Sequence, residues 1–294
     1  MNKVTISIPA TSANLGPGFD CFGLAYNLYN VFEFEKTPGS FSFEGFEPEF
    51  SNEDNLAIVA FKVCEKAAGK TGAGCLIRIK ECGVPICRGL GSSSTTILAG
   101  VLAYNALYDA GFDDKKILEI ATLIERHPDN VAPALYGGLT CAVMDEGIIG
   151  VEKYKPASSL HFTLMIPDFQ LSTAKARGVL PNAISRQDAI YNISHAALLL
   201  TALQSGDEAK IAFALKDKIH QPYRKGLIDE YDIVYAKALE LGACAVCISG
   251  AGPTMLAIGS KEIAPELEKA LAQTCKHSWH AIDLKADSAG ATVK

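Results

Sequence analysis

Five hydroxyl side chains follow two glycines in PICRGLGSSSTT (85–96). Glycines let backbone amides come close to a ligand, and a helix opening directly after them aims its free N–H groups and positive dipole end at the same place. Such a stretch can cradle phosphate. The plainer reading is a strand-to-helix turn capped by Ser92 or Ser93, but three serines and two threonines exceed what a cap needs. A second glycine-rich stretch, CISGAGPT (247–254), lies between two apolar runs and on its own would be a hairpin turn. A third, PATSANLGPGFD (9–20), precedes another β-like run. One composite site, built from both halves of the chain, explains three such loops most economically.

The familiar nucleotide motifs fail here. Gly69-Lys70-Thr71 mimics the end of a Walker A loop, but Cys64 stands where that motif needs glycine, and the segment closes a helical pattern instead of opening one. Gly89 and Gly91 are followed by Ser94 where a dinucleotide fingerprint needs its third glycine. Neither H-R-D nor D-F-G occurs, which removes the protein-kinase reading.

The elements that must hold these loops can be read from periodicity. Val4 to Ile8 alternates as a half-buried strand, Pro9 to Asp20 is a loop, and Val31 to Glu35 is a second β segment. Asn55 to Ala68 predicts a helix, Cys75 to Ile79 a strand, Ser94 to Ala110 a helix behind the glycines, and Lys115 to Arg126 a helix ending before HPDN (127–130). A second block begins with the strand Phe162 to Ile166, passes through helices near Arg186 to Leu203 and Asp229 to Leu241, and ends with strands Ala243 to Ile248 and Met255 to Ile258. The polar segment Asp145 to Ser159 is the expected boundary, giving domains 1–155 and 156–294. There is no internal repeat or low-complexity tract.

Composition narrows the function. The 294 residues carry a formal net charge of −6, with no run of Lys or Arg longer than two, which argues against nucleic acid or an anionic membrane as partner. No stretch is apolar enough to span a bilayer, and the first residues lack the apolar core of a signal peptide, so a cytoplasmic protein is expected. Nine cysteines in mostly apolar contexts read as reduced and buried, including the Cys244/Cys247 pair, which has no second pair at zinc-ligand spacing. The Asn192-Ile193-Ser194 glycosylation sequon is idle in an unsecreted chain.

PATSANLGPGFD (9–20), RGLGSS (88–93) and SGAGPT (249–254) resemble the three motifs of the GHMP kinases, the family of galactose, homoserine, mevalonate and phosphomevalonate kinases. HPDNVAP (127–133), STAKARGVLP (172–181) and DKIHQPYR (217–224) are similar to its homoserine kinase branch. The resemblance implies a two-domain GHMP fold, with an N-terminal mixed α/β ATP-binding domain and a C-terminal ferredoxin-like α+β domain. It implies ATP as phosphoryl donor, L-homoserine as acceptor and a homodimer. Residue by residue, it assigns nucleotide binding to Asn55, Pro85, Arg88, Gly89, Leu90, Gly91, Ser92, Ser93, Ser94 and Thr95, with the adenine near Asn55. Mg²⁺ falls to Ser93 and Glu125, a hydroxyl and a carboxylate that suit a hard cation. The catalytic set is Ser93, Glu125, His127 and Asn130. The acceptor falls to Asn14, Asp20, His127, Asn130, Thr173, Arg177, Arg224, Gly252 and Thr254. Asp20 would face the ammonium, and Arg177 and Arg224 the carboxylate.

Blander readings stand beside these: Glu125 as a solvated helix-end carboxylate, each arginine as a surface charge, His127 as a helix-end residue. Two positions depart from the branch. Arg126 replaces a usual glycine and would add a cation beside the metal and acceptor sites, and Ser94 replaces a usual alanine. A GHMP kinase for another alcohol such as mevalonate, or a non-catalytic ligand-binding protein on this fold, are the alternatives.

Overall fold

Val4, Ile6 and Ile8 are buried while Thr5 and Ser7 are half-exposed, the alternation of a strand with one face on a core. In the computed structural model, which describes residues 2–294, that strand does not stop at Pro9. It runs as β1 over Lys3–Ala13, and from Ile8 onward every residue is buried. The expected loop therefore begins only after Ala13. Polar residues persist in the strand because their hydroxyls find partners: Thr11 Oγ1 donates to Asn130 Oδ1 at 2.7 Å, and Ser12 Oγ lies 2.6 Å from Ser249 Oγ.

β1 pairs antiparallel with the long β2 (Phe22–Pro38), which pairs with β4 (Ala73–Cys82); β3 (Phe41–Glu44) runs parallel to β4 at the edge. The first half of β2 also pairs with β5 (Leu139–Asp145), followed by β6 (Ile148–Tyr154), and β11 (Thr292–Val293) flanks β1. β6 occupies the segment expected to be a polar boundary. It is an edge strand bonded only to β5, so it needs little apolar surface, and its two-residue turn Glu146-Gly147 has positive φ at both positions, as a type I′ hairpin requires.

Four helices cover one face of this seven-stranded sheet: α1 (Leu56–Ala67), α2 (Ser92–Tyr108), α3 (Asp114–Glu125) and α4 (Pro128–Tyr136). Asn55 caps α1 and Asp113 caps α3, each accepting a backbone N–H of the first turn. α4 has proline at its first position, where the missing N–H is no loss, so the HPDN segment opens a helix as well as following one. Phe61 is the hub of the core between helices and sheet, edge-on to Phe41, Tyr104 and Tyr108 and stacked on Phe34.

The second sheet is antiparallel throughout, in the order β10 (Trp279–Leu284), β7 (His161–Pro167), β9 (Met255–Gly259), β8 (Ala245–Ile248). Its helices are α5 (Thr173–Gly178), α6 (Arg186–Ser205), α7 (Glu208–Ala214), the single turn α8 (Gln221–Arg224), α9 (Tyr231–Glu240) and α10 (Ala264–Thr274). This is the α+β sheet that the resemblance implies. One apolar cluster joins the two blocks: Ala10, Leu15, Leu24 and Tyr26 pack in it with Phe162, Leu164, Leu256 and Ile258. No described helix is long and apolar enough to cross a membrane. All nine cysteines are free thiols. Cys247 is buried in β8, and its thiol is pushed up to about 12 by burial, but Cys82 and Cys87 are exposed, against expectation, because both lie on the wall of a cleft.

Candidate active site

The three glycine-rich stretches meet. Thr11 N–H donates to Leu90 O (3.1 Å), Gly250 N–H to Ala13 O (3.1 Å), and Asn14 Nδ2 to Gly250 O (2.8 Å). Ser249 Oγ, beside Ser12, donates to Gly89 O at 2.6 Å, tying all three together. The approach is close enough to exclude side chains. Gly89 and Gly91 have φ of +74° and +72°, and a Cβ on Gly91 would stand 2.1 Å from Thr11 Oγ1, one on Gly89 2.4 Å from Ser249 O.

Around this junction lies a cleft of about 1290 Å³. Its floor is the N-terminus of α2, where Gly91 takes the cap position and the helix starts at Ser92, two residues before expectation. Ser93 Oγ donates to Glu125 Oε1 at 2.6 Å, and Ser94 Oγ to the same oxygen at 3.0 Å. Burial pushes the Glu125 carboxyl above its ordinary range, against the downward pull of the Ser93 bond and of His127. His127, just before α4, has Nδ1 2.6 Å from Asp129 Oδ1. Burial alone would lower its pKa, but that bond, the Asp129 charge and Glu125 outweigh burial and raise it. Asn130 uses Oδ1 to accept from Thr11, which leaves its Nδ2 as a donor toward the cleft it lines.

The far end of the cleft is built from both blocks. Arg177 and Asp20 form a two-pronged pair at 2.7 and 3.0 Å, so these two expected substrate ligands bind one another here. Arg224 is 2% exposed. Its Nε donates to Ala176 O, its Nη1 to Gly250 O and toward His220 Nδ1, and among the described residues Nη2 has no acceptor. Phe19 lies under both guanidiniums, and burial together with Arg177 brings the Arg224 pKa down to about 10. Thr173 lines the same end. The cleft also has an apolar wall, with Phe32, Phe46, Phe50, Leu56, Ile79 and Ile86, and is lined by Glu47, Glu49, Asp54 and Glu81 as well.

Several expected residues play other parts. Leu90, Ser94 and Thr95 are buried off the cleft: Leu90 in the core, Ser94 on Glu125, and Thr95 accepting from Asn30 Nδ2 and donating to Ser92 O. Arg88 lines the cleft, but its guanidinium donates to the carbonyls of Pro167, Asp168 and Ile86, holding the loop to β7. Asn55 lines it too, with its amide engaged by Ala57 N and Phe50 O. Gly252 and Thr254 do not reach the cleft. Gly252 faces Ile228 and Ile248, and Thr254 is buried; the loop presents Gly250 and Ala251 instead. Arg126 is exposed and off the cleft. It caps α3 at φ +79°, a conformation glycine adopts without strain, so it adds no cation to the site.

Residues 55–138 match the model of the GHMP kinases N terminal domain, and residues 199–277 that of GHMP kinases C terminal. A homoserine kinase of Clostridium beijerinckii is 43% identical, over 99% of this chain and 98% of its own. The chain belongs to the GHMP kinase family. Among solved structures, a homoserine kinase from Cytophaga hutchinsonii superposes with a TM-score of 0.88 at 27% identity, covering 100% of this chain and 98% of the other. A putative homoserine kinase from Listeria monocytogenes gives 0.79 at 28% identity, with 99% of each chain covered.

On this GHMP kinase, the sequence alone does not single out Thr11, Ser12, Asn30, His220 or Ser249. Thr11, Ser12, His220 and Ser249 lie inside the quoted motifs, but their parts emerge only when the segments are juxtaposed. Asn30 carries no motif signal at all. The implied Mg²⁺ fits the residues present. Ser93 and Glu125 offer one hydroxyl and one carboxylate 2.6 Å apart beside a helix N-terminus, a donor set magnesium takes when phosphate oxygens complete its shell.

Proposed function

We propose that the chain is a homoserine kinase, transferring the γ-phosphoryl group of ATP to the side-chain hydroxyl of L-homoserine to give O-phospho-L-homoserine and ADP, a step toward threonine. The observation that carries this reading is Arg224: a guanidinium buried at the cleft with an unpartnered Nη2, beside the Asp20–Arg177 pair. A ligand with both an ammonium and a carboxylate matches that charge pattern, and mevalonate, which lacks the ammonium, does not. The full-length likeness to homoserine kinases supports the same substrate.

The apolar wall from Phe32 to Ile86 takes the adenine, and the N–H groups of Ser92 to Ser94 take the phosphates. Ser93 and Glu125 would hold Mg²⁺, which when bound neutralises charge on the β- and γ-phosphates. The substrate hydroxyl oxygen bonds to the γ-phosphorus as the bond to the bridging oxygen breaks, and ADP leaves. Asn130 Nδ2 orients that hydroxyl but cannot take its proton. His127 Nδ1 is engaged by Asp129 at 2.6 Å and no side chain is committed as a base, so the proton passes late to a γ-phosphate oxygen.

ATP turnover across homoserine, serine, threonine, mevalonate and galactose tests the reading. Homoserine should be preferred by at least about 100-fold in kcat/KM; preference for another alcohol would overturn the substrate, and turnover of none would favour a non-catalytic binder. A division near 155/156, with the last strand β11 returning to the first sheet, a cytoplasmic location and a homodimer belong to the same proposal, with the exposed Ile190, Ile193 and Phe213 of α6 and α7 as the candidate dimer face. Sedimentation of the intact chain checks the dimer.

A further inference from the structure

Arg224 is held by more than carbonyls. His220 is fully buried, with Nε2 2.8 Å from Gly16 O and Nδ1 3.3 Å from Arg224 Nη1. A carbonyl can only accept, so Nε2 carries the proton; a guanidinium can only donate, so Nδ1 presents its lone pair. The two partners fix one neutral tautomer. Burial favours that neutral form, as does Arg224 itself, and both outweigh the opposing pull of Asp217, of the Gly16 bond and of Asp20.

The ring is itself locked. It stacks on Phe19 at 5.3 Å, and the turn that carries it is anchored by Asp217, whose buried carboxylate accepts the backbone N–H groups of Ile219, His220 and Gln221 and the Asn192 amide. Arg224 has five N–H groups. Ala176 O, Gly250 O and His220 Nδ1 account for three, and the two on Nη2 remain. The carbonyls of Ala176 and Gly250 take one hydrogen on Nε and one on Nη1; an acceptor on a rigid turn takes the last Nη1 hydrogen and resists tilting of the plane they define.

We infer that His220 is a positioning residue for carboxylate recognition: as a neutral Nε2–H imidazole braced by Asp217 and Gly16, it orients Arg224 so that Nη2 meets the carboxylate of an amino-acid substrate. This rests on the reading of the substrate given above. His220 touches neither nucleotide nor reacting atoms, so its loss acts on one substrate only.

The test compares L-homoserine with L-homoserinamide, whose carboxylate is a neutral carboxamide, in the intact enzyme and in His220→Phe, which keeps the stacking on Phe19 but has no acceptor. His220→Phe is expected to raise the KM for homoserine and to cut the preference for homoserine over its amide about tenfold or more, with the KM for ATP within about twofold. His220→Asn, whose Oδ1 stands near the site of Nδ1, restores most of that preference. A preference unchanged in His220→Phe, or equal rises in both KM values, overturns the inference and makes His220 a packing residue. ¹⁵N NMR of the wild-type chain decides independently of whether the variants fold: His220 is expected as the Nε2–H tautomer at neutral pH, and a cationic or Nδ1–H ring overturns the proposal. A wild-type protein that turned over neither compound would sink the substrate reading and this inference with it; turnover of homoserine with unmoved discrimination sinks only the latter.

Discussion

The two ends of the cleft are made of different material. At the α2 end the proposed binding groups are main-chain N–H groups, positioned by Gly89 and Gly91, with Glu125 as the one carboxylate tied into them. At the other end they are side chains, Asp20, Arg177 and Arg224, gathered from both blocks and braced by Asn14, Phe19 and His220. A phosphate chain is the same whatever the acceptor, so a local backbone cradle suffices for it. An acceptor differs from kinase to kinase, and side chains can be exchanged without rebuilding the fold. The nucleotide end should therefore resist loss of side chains but not of backbone geometry, and the acceptor end the reverse.

Glu125→Gln is the largest exception at the nucleotide end. It removes the charged oxygen shared by Ser93 and Ser94, and kcat should fall by about 10³ or more at saturating Mg²⁺ with the KM for homoserine little changed. Unchanged turnover would show that the metal is held elsewhere. Arg224→Ala should weaken homoserine by about 2 to 4 kcal/mol in kcat/KM and leave the KM for ATP alone. Equal losses for both substrates would erase the distinction between the ends. Gly91→Ala forces a Cβ against Thr11 Oγ1 at a left-handed φ, and should lower stability by about 2 kcal/mol while raising the KM for ATP; thermal unfolding and initial rates together check it. Ser92→Ala should do least, changing the KM for ATP by about twofold or less, since its hydroxyl holds nothing among the described residues and its N–H is kept. A large effect there would mean that side chains, not amides, bind the phosphates.

The same contrast explains what the sequence made legible. The glycine loop that opens α2 is legible because its physics is local: glycines, then hydroxyls, then a helix. Elements with clean periodicity, such as α1, α3 and β7, lie within a few residues of expectation. β1 beyond Pro9 was misread because a strand buried on both faces, with its hydroxyls satisfied across the chain, carries no alternation. The Glu146-Gly147 turn and the proline opening α4 were readable signals passed over. The acceptor end is where local reasoning ran out. Arg177 and Arg224 were found only by resemblance, Gly252 and Thr254 were assigned to a cleft they do not reach, and His220 was passed over because its role is a bond to another side chain.

β11 gives the fold a cost in time. Ile6 pairs with Val293 and Ser7 with Thr292, while the backbones of Thr5 and Lys294 exchange two hydrogen bonds. The first strand thus waits for an edge partner from nearly the other end of the sequence. Contacts so distant along the chain close large loops before they return any stabilisation, and they slow folding. During synthesis β1 has β2 within reach almost at once, but its other edge stays open until residues near 292 emerge. An edge left open in this way can pair with a neighbouring chain.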